Sequence, residues 1–431
     1  MKTDYRIQIT YSKQMPVITI KRLWHIVLLI VSLNSISAQP QAAYFNQLDL
    51  LQGKHKITIP FRYIHNFIVL NARIYGLMNV QFIFDTGSEH VILFKREYPD
   101  LLQIPYDKRI PVMGSDLSRE IFALIIRNGL LEITGLAPKP TDMLVLEQDY
   151  FNLDEMVGTP IAGLIGGGFF KNLIINIDYK KSKMTIIDPA YFEAPEEFTK
   201  VPIVIKTNKP YIAGEASLQD GTSVQVDLLL DTGAGVPLLL HNNSNPSLHL
   251  PEEYIRGRLG MGLGGYLEGF IGRIQKLSIG SFDFPNVLTS FQDIQEAWLS
   301  DKDRYRNGIV GNQLLSRFNV FLDYNRENIM LKPYQKKQKP FNMDRSGLII
   351  FAYGPDFKQF VVKDILDNSP AQAADFRSGD VITRIQGTQS KYFTLEAFSK
   401  ILQRKAGKKI KLQLIRDNQL IHKELILRDL I

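Results

Sequence analysis

The sequence predicts a mainly β protein in which two tandem β-barrel lobes are followed by a smaller α+β unit. Three observations carry this expectation. An apolar strand running into Asp-Thr-Gly occurs twice, and a second, apolar-apolar-Gly segment follows each copy at a matched distance. Between these landmarks, short apolar runs are broken by Gly, Pro, Asn and Asp, with little of the 3.6-residue period that marks helices.

The first landmark is Val80-Gln-Phe-Ile-Phe-Asp85-Thr-Gly-Ser88, which recurs as Val226-Asp-Leu-Leu-Leu-Asp231-Thr-Gly-Ala234. The second is Leu164-Ile-Gly166, then Asn176-Ile-Asp-Tyr179; its counterpart is Ile309-Val-Gly311, then Phe321-Leu-Asp-Tyr324. Asp85 precedes Gly166 by 81 positions (85 to 166) and Asp231 precedes Gly311 by 80 (231 to 311); 12 positions then lead to the Asp-Tyr pair in both copies (166 to 178, 311 to 323). Two signals repeated in one order at nearly the same separation identify a duplication. The copies are expected at 59–190 and 200–335, joined through Tyr191–Lys200.

After Tyr334 the polar, basic stretch 336–344 reads as a linker. The third unit, 345–431, is expected to hold strands at Gly347–Phe351, Phe360–Ile365, Lys409–Ile415 and Gln419–Leu427, with a helix at Thr394–Gln403.

At the other end, Lys21-Arg22 precedes the apolar run Leu23–Val31 and a small residue, Ala38. This is the pattern of a signal peptide over 1–38, with Met15 an alternative start and an uncleaved anchor the rival reading. Residues 39–58 read as a leader or short pro-segment. The mature chain is expected to be exported, periplasmic or extracellular, without a membrane span.

Composition narrows the chemistry. The 431 residues are 45% apolar and 22% charged, enough to build sizeable cores. The net charge of +7 gathers in Lys332–Lys339 and Lys400–Lys411 without interleaved aromatics, so no nucleic-acid partner is expected. There is no cysteine, which excludes thiol catalysis, thiolate metal sites and disulfides. The seven histidines include no His-Glu-x-x-His, and His90, His241 and His249 lack companions at ligand spacing, so neither metal nor cofactor is expected. Gly-x-Ser-x-Gly is absent, which leaves a serine hydrolase without an anchor.

A carboxylate closing an apolar strand is costly unless it is paired or used. One Asp-Thr-Gly alone reads as an Asx-type turn. Two, on duplicated lobes, bring Asp85 and Asp231 together. Such carboxylates cannot both ionise, so the pair offers one base and one acid around a shared water, suited to attack on an amide. Gly87 and Gly233 let backbone approach the carboxylates, and Thr86 and Thr232 are placed to hydrogen-bond across the two loops.

With these residues in place, 59–335 resembles the pepsin and retropepsin superfamily of aspartic proteases, in the bacterial single-chain form with two retropepsin-like halves. The resemblance implies a catalytic pair at Asp85 and Asp231, and Gly166 and Gly311 packed under the loops. It also implies flap hairpins, placed by position at Met113–Leu117, with Gly114 and Ser115, and at Gly260–Gly265, with Gly262 and Gly264. No tyrosine falls in 108–125, where pepsin-like flaps carry one.

Residues 345–431 resemble a bacterial-protease PDZ domain through Asn368-Ser-Pro-Ala and Ala373-Ala-Asp-Phe-Arg-Ser-Gly-Asp-Val-Ile382, with Asp375 where glycine is usual. A peptide or protein substrate and a separate PDZ ligand are the implied partners. The alternatives are a non-catalytic envelope binding protein on the same scaffold, and a site completed by dimerisation.

The two motifs differ at their last residue. Ser88 carries a hydroxyl able to donate to Asp85 and Ala234 carries none, so the halves are expected to titrate unequally, with a less acidic optimum than two hydroxyls would confer.

Overall fold

A strand that leaves its partner sheet at an Asp-Thr-Gly turn must be supported on both sides, and the duplication meets this need twice in the same way. The computed structural model describes residues 54–113, 120–150, 152–262, 265–294, 306–336 and 339–431. These all fall within one compact unit, Leu48–Ile431. The expected signal peptide, and the leader up to residue 53, lie outside them.

The first lobe contributes eleven strands: β1 (Lys56–Pro60), β2 (Arg62–Ile64), β3 (Phe67–Ile74), β4 (Met78–Asp85), β5 (Val91–Leu93), β6 (Arg109–Met113), β7 (Glu120–Glu132), β8 (Lys139–Leu146), β9 (Gly163–Gly166), β10 (Ile174–Asp178) and β11 (Lys183–Ile187). The second repeats them as β12 (Thr199–Pro202), β13 (Val204–Lys206), β14 (Lys209–Ser217), β15 (Ser223–Asp231), β16 (Leu238–His241), β17 (Tyr254–Gly262), β18 (Gly265–Ile279), β19 (Phe282–Gln292), β20 (Gly308–Gly311), β21 (Phe318–Asp323) and β22 (Asn328–Pro333).

The eight-stranded sheet of lobe 1 runs β2-β3-β4-β9-β5-β8-β7-β6, and that of lobe 2 runs β13-β14-β15-β20-β16-β19-β18-β17. The two orders are identical strand for strand. Extra pairings, β3 with β7 and β14 with β18, fold each sheet back on itself. A third, six-stranded sheet, β1-β11-β10-β21-β22-β12, takes three strands from each lobe and joins them at β10 and β21. There Asn176 Nδ2 donates to Asn319 Oδ1 at 2.6 Å. The Asp of each repeated Asp-Tyr pair closes the next turn: Asp178 Oδ1 accepts from the Lys181 amide at 3.1 Å and Asp323 Oδ1 from the Arg326 amide at 3.0 Å. β1 starts at Lys56, so the end of the segment read as a leader is part of this sheet.

Five short helices are described: α1 (Glu97–Leu101), α2 (Leu153–Val157), α3 (Asn312–Leu315), α4 (Pro370–Ala373) and α5 (Leu395–Leu402). The C-terminal unit is a sheet ordered β23 (Leu348–Tyr353), β24 (Gln359–Ile365), β25 (Val381–Ile385), β27 (Lys409–Arg416), β28 (Gln419–Ile426), with β26 (Thr388–Gln389) beside β25. Its core closes around Phe360, Ile382, Phe398 and Leu412, separate from the core shared by the two lobes. α5 starts on Thr394, whose hydroxyl accepts from the Ala397 amide at 3.1 Å, as an N-cap should. No helix of the described residues is long and apolar enough to cross a membrane.

The stretch 336–344 departs from a free linker. Phe341 is 2% exposed and belongs to the lobes' core. The Arg317 guanidinium lies 3.3 Å from its ring centroid and donates to the Lys339 carbonyl at 2.7 Å. Arg273 donates to the Phe341 carbonyl at 3.3 Å. The lysines and glutamines that made the segment read as solvated are outvoted by one aromatic anchor. Phe341→Ala is therefore expected to cost about 3–5 kcal/mol, as truncation of a buried aromatic does. Chemical denaturation of the full chain measures this, whereas a free linker would lose almost nothing.

Candidate active site

Asp85 ends β4 and Asp231 ends β15. Each strand is held in parallel by the strand carrying the repeated glycine, so Asp85 pairs with Gly166 and Asp231 with Gly311. Parallel pairing at a strand's last residue fixes the turn that follows. The Gly166 amide donates to the His90 carbonyl at 3.0 Å, and the Gly311 amide to the Pro237 carbonyl at 3.1 Å. A Cβ on Gly166 would lie 2.6 Å from the His90 carbonyl oxygen and one on Gly311 2.7 Å from the Ala234 carbonyl oxygen, so only glycine lets these strands pass beneath the loops.

The two loops grip each other. The Thr86 amide donates to Thr232 Oγ1 at 3.0 Å, and the Thr232 amide to Thr86 Oγ1 at 3.0 Å. Thr86 Oγ1 donates to the Leu230 carbonyl at 2.7 Å, and Thr232 Oγ1 to the Phe84 carbonyl at 2.8 Å. Both threonines are buried, at 1% and 2% exposure, so water does not compete for these bonds.

The carboxylates meet above this grip. The Gly87 amide donates to Asp85 Oδ1 at 2.8 Å and the Gly233 amide to Asp231 Oδ1 at 2.7 Å. A Cβ on Gly87 would collide with the Asp231 carboxylate, and one on Gly233 with that of Asp85. Each carboxylate thus lies against the backbone of the opposite loop. Asp85 and Asp231 share a side-chain hydrogen bond, and both remain partly open to solvent. Burial pushes the Asp85 carboxyl well above the ordinary carboxylate range, and the charge of Asp231 adds to the rise. A carboxyl raised in this way favours its protonated form.

Several supporting residues carried no obvious signal beforehand. His65-Asn66 and Thr207-Asn208 form two-residue hairpin turns between β2 and β3 and between β13 and β14, with φ of 47° and 67°, and 46° and 58°. Asn66 Nδ2 donates to the Gly235 carbonyl at 2.9 Å, and Asn208 Nδ2 to Glu89 Oε1 at 2.6 Å, so each lobe's turn braces the other lobe's Asp-Thr-Gly loop. The signal was an Asn at the second position of each turn, a residue that tolerates the left-handed conformation. Next to Asn208, Lys209 is half-buried. Burial and then Arg306 lower its pKa, while Asp85 and Asp231 pull it back up. Its counterpart in lobe 1 is the apolar Phe67.

Other expectations meet a different arrangement. Ser88 Oγ donates to the His90 carbonyl at 3.4 Å rather than to Asp85. The turn aims the hydroxyl along its own loop, so the Ser88 and Ala234 difference is not what separates the two halves. Gly114 and Ser115 of the first hairpin tip lie outside the described residues, as does Gly264 of the second. The hairpins themselves are β6–β7 and β17–β18, the latter closing on Gly262 paired with Gly265. His241 is 2% exposed, and burial lowers its pKa to about 3, which keeps it neutral.

Residues 336–427 match the family described as PDZ domain. The C-terminal unit is a PDZ domain. Asp375, at the position usual for glycine, takes a φ of 53° and ties the turn to Lys423 at 3.1 Å and to Arg416 at 3.2 Å. Among solved structures, an aspartic proteinase from Irpex lacteus aligns with a TM-score of 0.41 and 13% identity, covering 64% of this chain and 97% of that one. Basic 7S globulin from soybean aligns with a TM-score of 0.41 and 10% identity, covering 64% and 95%. No curated protein matches the sequence. What the paired loops can do follows from this chain's own geometry, and membership of the C-terminal unit in the PDZ family implies a peptide ligand.

Beneath the loops the two repeats differ in one buried contact. Tyr179 Oη donates to Asn312 Oδ1 at 2.5 Å, whereas its counterpart Tyr324 sits against Gly167, with its buried hydroxyl unpartnered among the described residues. Tyr324→Phe is expected to leave stability unchanged or raise it by up to about 1 kcal/mol, while Tyr179→Phe orphans Asn312 and costs about 1–3 kcal/mol. Urea melts of the two variants read the contrast. Ser88→Ala, by the same geometry, is expected to leave the pH dependence of any activity at Asp85 unmoved, whereas an acid limb displaced by half a pH unit or more would restore a role for its hydroxyl.

Proposed function

We propose that this chain is an exported aspartic-type endopeptidase that hydrolyses peptide bonds with a water activated by Asp85 and Asp231. The observation that carries the reading is the reciprocal placement of the two carboxylates. Each lies against the opposite Asp-Thr-Gly backbone, and burial with the neighbouring Asp231 pushes the Asp85 carboxyl up.

The chemistry follows from one proton on two carboxyls. A water between them gives a proton to the ionised carboxylate as its oxygen attacks the amide carbon. The protonated carboxyl donates to the carbonyl oxygen, and the resulting tetrahedral species collapses as the amide nitrogen takes a proton and leaves. Burial and the neighbouring charge favour the protonated state at Asp85, which casts it as the initial acid. Lys209 limits how far the pair's negative charge is penalised. The Thr86–Thr232 grip supplies rigidity, since a dyad must be held to within a fraction of an ångström. The PDZ domain supplies a second peptide contact for a substrate or partner protein, and the exported location rests on the N-terminal pattern.

Asp85→Asn and Asp231→Asn are each expected to lower cleavage of a proteome-derived peptide library by at least about a thousandfold, with the fold retained by circular dichroism. Cleavage by either variant at a tenth or more of the wild-type rate would sink the dyad, and an inactive wild type across about pH 3 to 8 would favour a binding protein on this scaffold. The sign of the pH effect on stability is also set. A carboxyl whose folded pKa is raised contributes fully below the ordinary carboxylate range and loses that contribution as pH rises through the raised value. The Tm of the wild type should therefore fall relative to Asp85→Asn over that rise.

A further inference from the structure

The PDZ sheet has two edge strands, β23 and β28. An edge presents unpaired backbone groups that an added strand can satisfy. Each has a helix of its own domain alongside, the four-residue α4 at β28 and the eight-residue α5 at β23, so β23 and α5 flank the longer strand–helix groove. That groove is covered. Helix α2 of lobe 1 lies against β23. Glu155 shares a hydrogen bond with Tyr353 at the end of β23 and feels the charge of Lys363. Gly158, which ends α2 in the left-handed conformation with φ of 73°, has its Cβ direction 3.0 Å from Leu395 Cβ on α5 and 3.7 Å from Ala352 Cβ on β23. It therefore touches both walls at once. On this edge strand Phe351 is 2% exposed, and Ala352, part of the PDZ core, is 0% exposed.

We infer that the PDZ groove between β23 and α5 is closed by the chain's own segment Leu153–Gly158, so that an extended peptide pairs with β23 only by displacing it. The closure is built from lobe 1 outward. Leu153 and Val157 point into a lobe 1 core, and Asp154 pairs with Lys95 and accepts from the Ile161 amide at 2.9 Å. The face of α2 turned to the PDZ domain is left to Glu155 and the bare backbone of Gly158.

The same contact reaches the dyad, and this extension rests on the endopeptidase reading. Five residues after Gly158 the chain enters β9, whose Gly166 pairs with Asp85. His65 of the same lobe lies within electrostatic reach of Glu396 and Lys400 on α5, and its neighbour Asn66 braces Gly235 of the other loop. A second PDZ contact is made by Gly257 in β17, packed on Leu366. A peptide that lifts α2 from β23 loosens supports of both loops and the base of one hairpin, so groove occupancy and cleavage are coupled.

The chain has no cysteine, so a single engineered disulfide tests this cleanly. Gly158→Cys with Ala352→Cys places two Cβ atoms at a separation suited to a disulfide, 3.7 Å. Binding is measured on full-length Asp85→Asn protein, independent of catalysis, with a fluorescent decapeptide library carrying apolar C-termini. The oxidised lock is expected to weaken binding at least about tenfold relative to its reduced form. Glu155→Lys, which sets a lysine against Lys363, is expected to strengthen binding several-fold over the parent, and it remains informative if the double cysteine variant folds poorly. Equal binding by locked and reduced forms, or no gain in Glu155→Lys, overturns the closure. In the Asp85-containing enzyme the lock is expected to slow cleavage of unfolded casein by about fivefold or more, and equal rates overturn the coupling. If no form cleaves casein, the endopeptidase reading fails, and the library measurement still decides the closure.

Discussion

Four buried hydrogen bonds between Thr86 and Thr232 and the strand ends of the opposite lobe hold the two halves of the molecule in register. Each threonine serves as acceptor for its partner's amide and as donor to a carbonyl beyond it. Every other feature of the candidate site presupposes this arrangement. It sets Gly87 against Asp231 and Gly233 against Asp85, and so brings two costly carboxylates together, with burial and the neighbouring charge pushing the Asp85 carboxyl up. Because the groups lie in a dry interior, loss of any one bond leaves a buried partner unsatisfied, which makes the grip cooperative in effect.

The pseudo-twofold relation extends through the strand order of both eight-stranded sheets and through the six-stranded sheet that joins them. Its exceptions are concentrated near the dyad. Asn312 fills the space that Gly167 leaves empty of side chain, and Lys209 stands where lobe 1 has Phe67. Among the described residues, these two differences place a hydrogen-bonded tyrosine under one loop, an unpartnered one under the other, and a half-buried positive charge on one side only. An evenly symmetric pair would share its proton equally, whereas these neighbours give Asp85 a distinct environment.

The PDZ domain is fastened at two levels. Phe341 and the arginines around it bind the connecting segment to lobe 2, which fixes where the domain begins. The second level, at α2, β23 and α5, is made of small contacts: one carboxylate, one bare glycine backbone and the edge of a buried strand. Few buried apolar side chains hold that second interface, so it is the part of the assembly with the least to lose on opening. This difference in strength is what a hinge between a fixed root and a movable face requires.

Much of this was legible in the sequence alone. The repeat of Asp-Thr-Gly with its trailing glycine determined that there are two like lobes. The third unit's strands and its helix near 394–403 were legible as local patterns, because such signals depend on neighbouring residues only. The aim of the Ser88 hydroxyl, the anchoring of Phe341, the bracing by Asn66 and Asn208, and the charge of Lys209 were decided by tertiary structure. Each depends on what another lobe brings within a few ångströms, and a linear pattern carries no record of that. Sequence made Asp85 and Asp231 equivalent positions of a duplicated lobe; only the folded chain, by what it packs beside each of them, made them different.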